Sequence, residues 1–139
     1  MQILLQLERE TLAPYTLPGN LISMNMYDDL PLPWSLSSTS PAFSAFPKSS
    51  FTKHEYDREG VLSNGTTFFS GGEIESLDDI EGGLGTASMV MRWRAVNPEF
   101  VGTERDVVKM FGKELRAALG GQESLERGSG TAILLFKRV

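Results

Sequence analysis

Apolar and polar positions alternate from the first residues of the chain. In MQILLQLER, Ile3, Leu5 and Leu7 fall on one side and Gln2, Gln6 and Glu8 on the other, with Leu4 breaking the polar side. A period of two predicts a strand with one buried face. LISMNMY repeats the pattern: Ile22, Met24 and Met26 face away from Ser23 and Asn25, a second predicted strand. Pro14, Pro18 and Gly19 interrupt the chain between them. FTKHEYD predicts a strand from Phe51 to Asp57. In VLSNGTTFF, Asn64-Gly65 suits a tight turn with positive φ at both central residues, so a hairpin is expected between about 61–63 and 66–69. ASMVMRWRAV sets Met89, Met91, Trp93 and Ala95 against Val90, Arg92, Arg94 and Val96, another predicted strand, with Asn97-Pro98 as its stop. TAILLFKRV is apolar on both sides and reads as a covered strand.

Only TERDVVKMFGKELRAALGG carries a clear helical period. Val108, Phe111, Leu115, Ala118 and Leu119 share one side with Val107 at its edge, Thr103 is the expected cap, and Gly120-Gly121 is the exit. Gly112 lies inside this helix near the apolar stripe. It costs about 1 kcal/mol against alanine, so a close neighbour is expected there. These segments predict an α+β fold: a mostly antiparallel, curved sheet packed by one long C-terminal amphipathic helix. Residues 28–50 are expected to form a long irregular loop, because four prolines and seven serines fall within them.

At 139 residues the chain has the usual size of one domain, and a single domain over 1–139 is expected. There is no cysteine, which excludes disulfides, thiolate metal sites and a cysteine nucleophile. A net charge of −5 disfavours nucleic acid and anionic membranes as partners. No apolar run approaches the ~20 residues of a membrane span, and no signal peptide is recognised, so a cytoplasmic protein is expected. Asn64-Gly65-Thr66 matches a glycosylation acceptor but is read as a turn.

Five segments carry candidate chemistry. Between Ser70 and Gly85 lie Glu73, Glu75, Asp78, Asp79 and Glu81, with no base. The acids could ligate a hard cation or form a docking surface. The leading reading is helix punctuation, with Ser76 starting a capping box and acids complementing the first turn. Arg105, Lys109, Lys113 and Arg116 share one side of the predicted helix, and Arg92 and Arg94 could extend it. An anionic partner is one reading, a solvated face the other, and the acidic stretch itself is a candidate counterpart within one chain or between two copies. His54 and Tyr56 would share a strand face, with Glu55 and Asp57 opposite; a general base is conceivable there. GGQESLERGSGT lacks a lysine and precedes a strand, so it is read as a connection, with Arg127 beside Gly128–Gly130 as an alternative anion holder. Trp34, Phe43 and Phe46 in the long loop are either a plug for the core or anchors for a partner.

No catalytic constellation emerges, whereas three contact surfaces do. The expectation is therefore a non-catalytic interaction module that binds a protein partner through the aromatic loop and the charged patches, without a cofactor. Opposite-sign patches also allow self-association. The alternative is a small-molecule binder or small enzyme, with an apolar pocket floored by Met24, Met26, Met89 and Trp93 and polar groups from His54 and Tyr56.

Overall fold

The computed structural model describes residues 2–36 and 41–138; positions 37–40 of the expected loop lie outside the described residues. The chain is α+β and divides into two compact units. The first comprises residues 1–18 and 72–128, the second 19–71 and 129–139. The expected curved sheet is absent among the described residues. In its place are two separate two-stranded antiparallel ladders.

In the first unit the expected opening strand is helical. Helix α1 spans Gln2–Gln6 and continues as a wider π-type turn over Leu7–Thr11. The amide of Leu12 donates to the carbonyl of Leu7 at 2.8 Å. That bond joins residues five apart, and it brings Leu7 and Leu12, both buried, onto one side. Strand β2 (Glu73–Ser76) leads into helix α4 (Leu77–Gly85) and then α5 (Ser88–Val96), which is the segment expected as a strand around Trp93. Its buried residues are Met89 and Val90, with Trp93 half-buried one turn on, whereas Met91 is 55% exposed. Met89, Val90 and Trp93 share one side of a helix, whereas an alternating strand would split Met89 from Val90 and bury Met91.

The predicted helix is present as α6 (Val107–Ala118), but it has only twelve residues and is one helix among several. Val107, Val108 and Phe111 are buried as expected, while Ala118 is exposed. Its cap is Asp106 rather than Thr103, because the Asp106 carboxylate takes the amide of Val108 at 2.9 Å. Thr103 instead accepts from Arg105 N and donates to Phe100 O. Gly120 and Gly121 leave the helix at φ +61° and +91°. Strand β3 (Ser124–Arg127) comes from the segment read as a loop, and it pairs with β2, Glu73 opposite Arg127 and Ser76 opposite Ser124.

In the second unit the expected strand LISMNMY is also a helix, α2 (Pro18–Met24), ended by Met26 and Tyr27 at φ +55° and +63°. The long loop contains a short helix, α3 (Pro41–Ser44). Strand β1 (Phe51–Tyr56) forms as predicted and pairs with β4 (Thr131–Phe136), Phe51 opposite Phe136 and Tyr56 opposite Thr131. The strand TAILLF is therefore real, but no residue of it is buried.

The Asn64-Gly65 hairpin does not form. Among Asn64 and Gly65 only Gly65 has positive φ, +75°, whereas the expected turn needs both. Two competing interactions explain this. Asp57, itself at φ +57°, accepts the amides of Ser63 at 2.8 Å and Phe69 at 2.5 Å, and donates its own amide to Ser63 Oγ. The amides of Ser63 and Phe69 hold its carboxyl below the usual range. The ring of Phe69 stacks on Tyr56 with centroids 3.8 Å apart.

Candidate functional site

The first unit carries a charged cleft of about 630 Å³ beside α4 and the start of α6. Asp78, Glu81, Thr86, Arg94, Asp106 and Lys109 line it, together with Gly82, Gly85 and Gly102. Local sequence positions these groups. Ser76 caps α4, accepting the amide of Asp79 at 3.1 Å and donating to the Asp79 carboxylate at 2.6 Å. The acidic stretch is thus helix punctuation in part, although α4 runs through Gly82-Gly83 to Gly85 instead of ending there.

Asp106 is 1% exposed and accepts four hydrogen bonds. Two come from Arg94, at 3.0 and 3.1 Å, and the others from the amides of Gly102 and Val108. Arg94 also donates to the carbonyl of Gly85, so one guanidinium ties the end of α4 to the cap of α6. Glu81 is 6% exposed. Lys109 donates to one carboxylate oxygen at 2.9 Å and Arg116 to the other. Arg116 reaches on to Asp78 at 2.6 Å. The interior glycine of α6 now has its neighbour: a Cβ on Gly112 would lie 2.0 Å from the Glu81 carboxylate. Gly112 leaves the notch in which that carboxylate sits.

Burial alone would push both carboxyls up. For Glu81 the bonds from Arg116 and Lys109 outweigh it; for Asp106 those from Arg94, Val108 and Gly102 do. Both are therefore held below their ordinary values. As pH falls the unfolded chain binds protons first, at about pH 4, so stability is complete above that and drains as pH drops through the lower native values. The denaturant midpoint should fall steeply from about pH 4 downward, and Asp106→Asn should flatten that slope; an equal slope in both proteins would assign the acid sensitivity elsewhere.

The cleft sets paired charges beside solvent. No buried side-chain nitrogen or oxygen among the described residues lacks a hydrogen-bond partner. Carboxylates this firmly held as anions are poor proton carriers near neutral pH.

The other sequence-derived candidates are dispersed. Of the basic face, Lys109 and Arg116 are engaged by the acidic stretch of the same chain, Arg105 lies over the Phe100 ring at 3.9 Å, and Lys113 is exposed. Glu75 pairs with Arg127 at 2.7 Å, which occupies the expected anion holder of the glycine loop. Glu73 is exposed on the same strand, and the described residues contain no group of three acids or histidines that could hold a metal ion. His54 is exposed on β1 and Tyr56 is stacked on Phe69; neither lines the cleft. The proposed pocket floor is divided, Met24 and Met26 falling in the second unit and Met89 and Trp93 in the first.

Trp34 packs against Phe51 and Phe136, with centroids 5.1 and 6.2 Å away, and Phe51 and Phe136 are 5.0 Å apart. The loop's tryptophan thus packs on rings of the β1–β4 ladder, while Phe43 is 36% exposed and Phe46 half-buried. Sequence reasoning missed Asp106 and Arg94 as a pair, having placed Arg94 on a strand. The signal for the Glu81 hub was present: a glycine on the inner side of a helix, with bases three before it and four after it.

No protein-family model, no curated protein and no solved structure matches the chain. No helix among the described residues is long and apolar enough to cross a membrane.

Proposed function

We propose that the chain is a non-catalytic, cytoplasmic interaction module whose protein partner docks on the second unit, across the aromatic loop and the β1–β4 ladder. One observation carries this reading. Of the buried apolar residues among those described, Met26 alone belongs to the second unit. Phe43, Phe69, Leu135 and Phe136 of that unit are 36–51% exposed. An isolated two-stranded ladder is marginal in water, and apolar side chains left this open are the usual currency of recognition. The basic helix face contributes less than its sequence suggests, since its counter-charges come from α4. A second copy of the chain is an admissible partner; a nucleic acid is disfavoured by the net charge of −5.

The test is capture from the native host with three baits: wild type, Phe43→Ser/Leu135→Ser, and Lys113→Glu. The partner should be retained by wild type and Lys113→Glu and lost by the double variant. Retention by all three overturns the assignment of the surface. A second reading, a small-molecule site, is favoured by the cleft in the first unit. It would rest on Arg94 and Lys109 rather than on His54 and Tyr56.

A further inference from the structure

We propose that Asn64-Gly65 is a self-modifying site, at which the backbone nitrogen of Gly65 displaces the side-chain amide of Asn64 as ammonia. The geometry that points there is the cradle around the Asn64 side-chain carbonyl. Its oxygen accepts the amide of Thr66 at 2.9 Å, the amide of Thr67 at 3.0 Å and the hydroxyl of Thr66 at 3.2 Å. Three donors on one carbonyl draw electron density from its carbon. They also hold the negative charge that develops on the oxygen when a nucleophile adds, as an oxyanion hole does.

The nucleophile is the next residue in the chain. Gly65 has no Cβ to obstruct the approach of its nitrogen, and apart from its two chain neighbours no described residue lies within 4 Å of where one would be. Asn64 to Thr67 are all exposed, so water reaches the site. The loop is nevertheless held at both ends, because Asp57 binds the amides of Ser63 and Phe69. Two contacts oppose the reaction and must let go: the Gly65 amide donates to the carbonyl of Leu62 at 3.1 Å, and the departing Nδ2 of Asn64 donates to Thr67 Oγ1 at 3.2 Å.

The step balances with water alone. The Gly65 nitrogen gives its proton to water and bonds to Cγ of Asn64. The bond from Cγ to Nδ2 breaks, Nδ2 takes a proton, and ammonia leaves a cyclic imide. Water then opens the imide at either carbonyl, giving aspartate or isoaspartate. In both products a neutral amide has become a carboxylate, and isoaspartate also lengthens the main chain at the turn. Other asparagines lack the combination. Asn97 precedes Pro98, which has no amide proton, and Asn20 and Asn25 precede the side chains of Leu21 and Met26.

The experiment incubates the full chain at mildly alkaline pH, folded and in guanidinium chloride. Released ammonia and the mass of the peptide containing residue 64 are followed over days. The folded chain should convert about threefold faster than the denatured one, and Thr66→Ala should slow the folded chain by a similar factor, well short of the ~100-fold that a single donor is worth in a dry active site. Conversion in the folded chain no faster than in the denatured chain overturns the proposal. That comparison uses wild type only, so it stands if Thr66→Ala unfolds. Unchanged conversion in a folded Thr66→Ala protein likewise removes the hydroxyl from the cradle and overturns the proposal as stated.

Discussion

Replacing Asp106 with alanine is expected to destabilise the protein by about 3 kcal/mol, the scale for removing one partner of a buried ion pair. Three losses combine. The cap of α6 goes, freeing the amide of Val108. The amide of Gly102 loses its acceptor. Arg94, whose side chain is 26% exposed, keeps its charge without a counter-ion. The shift in denaturant midpoint at neutral pH measures the sum. Asp106→Asn should recover part of the capping while still losing the charge, so its midpoint should lie between those of wild type and alanine. A shift below about 1 kcal/mol for the alanine variant would be the loss of an ordinary cap alone, and would remove the ion pair from the account.

The second large effect belongs to Gly112→Ala. By propensity alone this change should stabilise α6 by about 1 kcal/mol. The opposite sign is expected, because the new methyl would occupy the position of the Glu81 carboxylate, 2.0 Å away. A glutamate end can swing aside, so the steric cost itself is small. The larger loss is its seat between Lys109 and Arg116. A net destabilisation of about 2 kcal/mol is expected, comparable to leaving a buried polar group without its partners. The double variant Gly112→Ala/Glu81→Ala supplies the check. With the carboxylate gone the methyl meets only the flexible end of Arg116, 3.0 Å away, and its cost in the Glu81→Ala background should vanish or reverse. Additive effects of the two changes would mean that the notch does not exist.

Legibility in the sequence followed the physics of each segment. The helix over residues 107–118 was readable because a full apolar stripe repeats through it, and β1 and β4 because β-formers crowd them. The Ser76 cap was readable because a hydroxyl and a carboxylate stand three apart before an apolar residue. The segments around Leu5, Met24 and Trp93 were not. Each is short, and each has apolar residues that satisfy an alternating and a helical period equally, so tertiary packing makes the choice. The hairpin at Asn64 failed for a different reason. Its turn chemistry was sound, but the Asp57 carboxylate recruits amides at both ends of the segment, and no local rule anticipates a competitor from outside the turn. Around Glu81, the basic face with Lys109 and Arg116 was readable and the acidic stretch was already a candidate counterpart; that Glu81 is the carboxylate between the two bases required the fold.

The pairing of β1 with β4 has a consequence for how the protein is made. Phe51 finds Phe136, and Tyr56 finds Thr131, only after the intervening chain has left the ribosome. Until then Trp34 and Phe51 lack the third ring of their cluster, Phe136. A chain cut short before Thr131 would leave β1 without its pairing strand, and unpaired edges with open apolar surface are what aggregation feeds on.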